Sequence, residues 1–254
     1  MRQHKQHAMA DLRDRIQQVE SSLRRSPLIR GITYLGLVAV TLEIVWRLHK
    51  PTGPYAVVSL HLPALPVIAT VTYAYASLRP EDRIHWRTLP LRRGVVQALQ
   101  GIGLGTSAFL VWVGIAAARG WVSAPAWGWE HTSVVEVAQS VALLSVGHLA
   151  VAWNEEVVFR GYGFDTFRVA IGQGAASTVL IPLFALYHGL DPQQLLGMTA
   201  AGLLLTLLRI ESGGLWLPLG CHWAWNTMQT AILGPAGELP SVRPLQVHGP
   251  DHWI

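Results

Sequence analysis

The sequence predicts an all-α polytopic membrane protein, a helical bundle with about seven to eight membrane helices. Two observations carry that expectation. Only 13% of the 254 residues are charged and 51% are hydrophobic, whereas a soluble domain carries about 25% charge. The charges are also segregated. Residues 51–78, 94–118, 137–154, 169–190, 192–208 and 212–237 contain no Asp, Glu, Lys or Arg. Most of these stretches approach or exceed the roughly 17–25 residues a helix needs to cross the hydrocarbon layer. A soluble helix would interrupt them with a charged solvent face. The polar segments between them hold the mean hydropathy down to +0.32.

In chain order, residues 1–30 form a basic cytoplasmic segment with seven Lys or Arg against three acidic residues. Leu12, Ile16, Val19 and Leu23 recur at helical spacing between Arg13, Arg15, Arg24 and Arg25. That pattern fits an amphipathic helix on an anionic membrane surface or an unstructured tail. Residues 31–133 hold the N-terminal membrane helices, with spans near 28–46, 55–78 and 94–118. The first span has no cleavage signal after it and reads as retained. Residues 134–233 form a second membrane core, with spans near 134–167, 172–190, 192–208 and 215–233. Residues 234–254 are a polar tail. There is no internal repeat.

The net charge of +4 need not imply nucleic acid, because the positive-inside rule accounts for it. With the N-terminus in the cytoplasm, seven spans place 15 basic residues inside, among them Arg160, Arg168 and Arg209. Four remain outside: Arg47, Lys50, Arg119 and Arg243. The expected location is an integral membrane site, the inner membrane of a bacterium. The single cysteine, Cys221, excludes an internal disulfide and a cysteine-only metal cluster, and reads as a packing residue.

Ionisable groups within membrane helices are costly and mark functional sites. Three places stand out: Glu155-Glu156 with Arg160, His188, and His222 with Asn226. If the helices turn back near 168–172, Glu155 and His188 reach similar depths, roughly 20–24 Å at 1.5 Å per residue. His222 lies roughly 15 Å past the turn at 209–213, and tilt can bring all three to one level. Glu156 and Arg160 are four apart and can pair. Glu155 points about 100° away on the helix and is the freer carboxylate. A carboxylate and an imidazole holding one water make a hydrolytic site, and a second imidazole and a carboxamide can stabilise an oxyanion. Against this stand plain structural readings: an ion-pair network for Glu155, Glu156 and Arg160, and hydrogen-bonding or interfacial roles for His61 and His148. No His-Glu-x-x-His zinc helix is present, although Glu155, His188 and His222 are a conceivable zinc set.

At these residues the sequence resembles the CPBP intramembrane proteases, the group that includes CAAX prenyl proteases of the Rce1 type and bacteriocin-processing or immunity proteins. The resemblance rests on Glu155-Glu156-Val157-Val158-Phe159-Arg160-Gly161, Phe184-Ala185-Leu186-Tyr187-His188-Gly189 and His222-Trp223-Ala224-Trp225-Asn226, preceded by Ser212-Gly213-Gly214-Leu215-Trp216-Leu217-Pro218. It covers roughly residues 135–232 and leaves the N-terminal spans as a variable region. It implies a CAAX-protease-like fold and an intramembrane endopeptidase. In that reading Glu155 is the general base and shares a water with His188, while His222 and Asn226 form the oxyanion site. Glu156 and Arg160 support the helix and its charge, and Phe184 packs beside the site. The resemblance implies no metal and no cofactor. The expected partners are the lipid bilayer and a membrane-associated peptide or protein, lipidated or not, and no nucleic acid. The alternatives are a non-catalytic scaffold or immunity protein on the same fold, a zinc-dependent membrane peptidase, and a transporter using the buried carboxylates. Substrate identity and oligomeric state are not readable from the sequence.

Overall fold

A computed structural model describes residues 2–49, 56–78, 90–123, 133–232 and 246–247. The elements are α1 (Arg2–Arg25), α2 (Pro27–His49), α3 (Ala56–Ser77), α4 (Leu91–Ala118), β1 (Val122–Ser123), α5 (Val134–Glu156), a π-helical segment (Val157–Tyr162), α6 (Gly163–Ile171), α7 (Gln173–Tyr187), α8 (Pro192–Ser212), α9 (Trp216–Ile232) and β2 (Gln246–Val247). Among the described residues the fold is all-α apart from one short antiparallel pairing, Val122 with Val247 and Ser123 with Gln246. The sequence reading placed no strand in those segments. The basic loop at 79–93 lies outside the described residues up to position 89. So does most of the tail at 234–254.

Local chemistry sets several of the boundaries. Ser133 and Glu136 form a reciprocal capping box at the start of α5, satisfying two otherwise orphaned amides. Asp191 accepts from the amides of Gln193 and Gln194, and Pro192 opens α8, where a missing N–H costs nothing. Gly213 ends α8 with φ +67°, a conformation glycine adopts freely.

Four helical stretches among the described residues are long and apolar enough to cross a membrane: Pro27–Leu48, Leu91–Ala118, Val134–Ile171 and Pro192–Ser212. This corrects the expected seven to eight. Length is the reason at two of the three expected spans missing from this set; the third, α3, has 22 residues and carries Pro63 and Pro66. Helix α7 has 15 residues, about 22 Å at 1.5 Å per residue, and α9 has 17, about 26 Å, against a hydrocarbon core of about 30 Å. Within the four spans only 22–28% of the most apolar window is buried in the protein. Leu99, Val111, Leu196 and Leu203 are among the large apolar side chains left exposed. A contiguous apolar exterior of this extent belongs in lipid.

Packing ties the N-terminal helices to the later ones. Tyr34, Val38, Ala64, Ile68, Val158, Phe159, Tyr162 and Phe184 form one buried cluster across α2, α3, the π segment and α7. Tyr34 also bonds Thr72 at 2.8 Å. Helices α4 and α9 touch backbone to backbone. A Cβ at Gly101 would lie 2.2 Å from the Leu217 carbonyl oxygen, one at Gly105 2.3 Å from that of Cys221, and one at Gly220 2.2 Å from that of Ala98. Glycines spaced to admit such an approach are a recurrent way of joining helices where no hydrophobic effect acts between them. Cys221 is buried within this seam. The seam fixes the placement of α9, which carries His222.

Candidate active site

Glu155 and Glu156 close α5 at the point where the helix widens into the π segment. Single-turn π-helical segments are uncommon and gather at functional sites. Here the segment ends in a kink, with Gly161 at φ −89° and ψ −113°. Gly163 follows, and a Cβ there would lie 2.1 Å from the Val158 carbonyl oxygen. A side chain at position 163 would therefore obstruct this bend.

The two carboxylates diverge. Glu156 is completely buried. Its Oε1 accepts from Arg160 NH1 at 3.1 Å and pairs with His222 Nδ1 at 2.9 Å. Arg160, itself 1% exposed, donates through NH2 to the Gly202 carbonyl at 3.2 Å. Its guanidinium carbon stands 4.1 Å from the centroid of the Phe184 ring. Glu155 points elsewhere. Its Oε2 is buried and, like Oε2 of Glu156, accepts no hydrogen bond within the described protein; what separates the two is that Oε1 of Glu156 is held by Arg160 and His222. It faces His188 Nε2 at 3.6 Å and His222 Nε2 at 3.7 Å.

His188 caps the C-terminus of α7. Its Nδ1 lies 2.8 Å from the Phe184 carbonyl, and a carbonyl only accepts, so Nδ1 carries the proton. When the ring is neutral, that tautomer presents the Nε2 lone pair toward Glu155. Phe184 sits between these groups, with ring centroids 4.6 Å from His188, 6.4 Å from His222 and 5.3 Å from Phe159. Thus α5, α7, α9 and the π segment bring Glu155, Glu156, Arg160, Phe184, His188 and His222 together. Asn226 lies one turn beyond His222 on α9 and is half-buried. No hydrogen bond joins it to Glu155, His188 or His222 among the described residues.

The structure also brings in residues that the sequence reading passed over. Asn154 donates to the His61 carbonyl at 3.0 Å and ties α3 to the site's own helix. Arg209 and Asp165 form a buried ion pair at 3.0 Å. Arg209 and Arg160 were both counted as cytoplasmic loop charges. Both are instead buried and paired inside the bundle, so neither contributes a free topogenic charge. His148 bonds Thr230 at 2.8 Å, linking α5 to α9, and does not join the cluster. Among the described residues no group of three or more His, Cys, Asp or Glu is arranged to hold a metal ion.

Residues 137–228 match the family model described as Type II CAAX prenyl endopeptidase Rce1-like. The Rce1-like segment is just over a third of the chain. It contains every residue of the cluster and the greater part of α5 and α9. The N-terminal helices α1 to α4 lie outside it. No curated protein and no solved structure matches the chain. The protein is therefore an all-α, membrane-type helical protein with a segment related to the CAAX proteases, and it holds buried Glu–His pairs of the kind a catalytic centre uses.

Proposed function

We propose that the protein is an intramembrane endopeptidase that hydrolyses peptide bonds of membrane-associated substrates with a water activated by Glu155. One observation carries this reading. The buried, unpartnered Oε2 of Glu155 stands 3.6 Å from His188 Nε2 and 3.7 Å from His222 Nε2. Those separations are too long for direct hydrogen bonds and suit groups that share a small ligand. A water between Glu155 and His188 would donate one proton to the carboxylate and the other to the imidazole lone pair. Its oxygen lone pair would then face the substrate carbonyl.

The reaction follows from these groups. Glu155 takes the water's proton as the oxygen adds to the carbonyl carbon. The tetrahedral oxyanion is met by donors. When the C–N bond breaks, Glu155 returns the proton to the leaving amine. His222 already uses Nδ1 toward Glu156, so Nε2 donates only when the ring is an imidazolium. Asn226 supplies a carboxamide from the same face of α9 and serves as the second oxyanion donor. Glu156 and Arg160 hold the His222 ring.

The expected substrate is a membrane-associated peptide or protein, lipidated or not, and the name of the matched family model makes a prenylated peptide the first probe. The expected location is the bacterial inner membrane with the N-terminus in the cytoplasm. The test compares membrane-bound peptides from cells carrying the wild-type protein and the Glu155→Ala variant. Peptides that accumulate uncut only with the variant support the proposal, and identical peptide populations contradict it.

A further inference from the structure

We propose that Arg209 and Asp165 are positioning residues of the site, holding the π segment in register against α8 and through it the Glu156–His222 pair. The evidence is a reciprocal exchange of hydrogen bonds. Arg160 donates from its side chain to the Gly202 carbonyl of α8 at 3.2 Å. Helix α8 answers seven residues later, where Arg209 Nε donates to the Arg160 carbonyl at 2.8 Å. Seven residues are about two turns, so both contacts lie on one face of α8. The receiving carbonyl belongs to the residue before Gly161, whose ψ of −113° takes the backbone off the helical path. Carbonyls beside such a break need a partner from outside the helix, and Arg209 is that partner.

Asp165 completes the device. Both of its carboxylate oxygens accept from Arg209 NH2, at 3.0 and 3.2 Å, which turns the guanidinium so that Nε meets the Arg160 carbonyl. Asp165 also lies 3.6 Å from Arg168. Arg160, Asp165 and Arg209 are all buried. Stability alone gives little reason for such an ion pair, since apolar side chains of similar volume often serve as well or better. Gly202 lets the helices meet: a Cβ there would crowd the Phe184 ring at 3.2 Å and come into ordinary contact with the Arg160 guanidinium at 3.5 Å. A continuous set of contacts then leads inward. Arg209 fixes the Arg160 backbone, Arg160 NH1 fixes Glu156, and Glu156 fixes His222 at Nδ1, opposite the nitrogen that faces Glu155.

The rate readout rests on the hydrolase reading; the spectroscopic readout does not. The Asp165→Asn/Arg209→Met double variant removes both charges and the bond to the Arg160 carbonyl without stranding either ion. Arg209→Lys is the milder second variant, keeping the charge near Asp165 but not the planar fork that serves two partners. Each is prepared in detergent with 15N-labelled histidine. The His222 ring resonances are expected to shift in both variants, with those of His148, bonded to Thr230, unchanged. With a fluorogenic farnesylated peptide, kcat is expected to fall about 100-fold in the double variant, as for a small misplacement of reacting groups. KM should stay within about twofold. Wild-type His222 resonances in either folded variant, or a wild-type kcat in the double variant, would overturn the proposal. If the wild-type protein does not cut the peptide, a farnesylated substrate is ruled out, and the His222 resonances alone decide the positioning role.

Discussion

The contrast between two neighbouring carboxylates gives a prediction whose size follows from the structure. In Glu156→Gln the amide oxygen can take the place of Oε1 but brings no charge. Arg160, 1% exposed, then loses its anionic partner at 3.1 Å and keeps the Gly202 carbonyl and the face of Phe184. Removing one partner of a buried ion pair costs about 3–5 kcal/mol, and the contact with Phe184, present in both proteins, does not change that difference. A loss of about 3–5 kcal/mol lowers the apparent Tm by roughly 6–20 °C for a chain of this size. In Glu155→Gln the altered Oε2 has no protein hydrogen bond to lose, so the melting temperature should stay within about 2 °C of wild type. The assay is thermal unfolding in one detergent at one pH, followed by tryptophan fluorescence. A Glu156→Gln protein as stable as wild type, or a larger drop for Glu155→Gln, would refute the assignment of the structural and the free carboxylate.

Further expectations follow from other parts of the molecule. Gly105→Ala places a methyl 2.3 Å from the Cys221 carbonyl oxygen; it should cost about 1–3 kcal/mol of stability, read as a lower apparent Tm, and an unchanged Tm would mean that α4 and α9 are further apart than described. Asn226→Ala should reduce kcat by roughly 100-fold with little change in KM, as for loss of an oxyanion donor; a change confined to KM would remove Asn226 from that role. With α3 crossing the membrane, as its charge-free stretch leads one to expect, reporter fusions at positions 20 and 86 should report cytoplasm and one at position 125 the opposite side; a cytoplasmic signal at 125 would reverse the orientation.

Much of the helical layout was legible because charge-free stretches are long and the breaks between them polar. The stretches at 94–118 and 192–208 fall within α4 and α8. The count of spanning helices was not legible in the same way. A charge-free stretch includes the turns at its ends, so 169–190 looks long enough while α7 has 15 residues. Within the site, the spacing of Glu156 and Arg160 gave their pairing at once, because residues four apart share a helix face. The widening into a π segment was hidden, since nothing in Val157-Val158-Phe159 distinguishes it from an α-helix. The two glycines at 161 and 163 were the available signal.

Long-range polar contacts were the least legible part. Asp165 and Arg209 are 44 residues apart, and near the ends of apolar stretches they look like ordinary loop charges. Their opposite signs beside the two motifs that flank the turns were the only hint. The sequence placed His222 with Asn226 because they share a face of α9. The structure adds that His222 stands between both glutamates, with Nδ1 toward Glu156 and Nε2 toward Glu155. No spacing rule could have given that, because it depends on the lateral packing of α5 against α9.

The central claim is that Glu155 is the base that activates water. The most direct measurement is the hydrolysis rate of a fluorogenic farnesylated peptide by purified wild-type and Glu155→Gln proteins with matched melting temperatures. Loss of a general base typically costs 10²–10⁴-fold, so the variant should turn over at least about 100-fold more slowly at similar KM. Cleavage by the Glu155→Gln protein at close to the wild-type rate would contradict the mechanism.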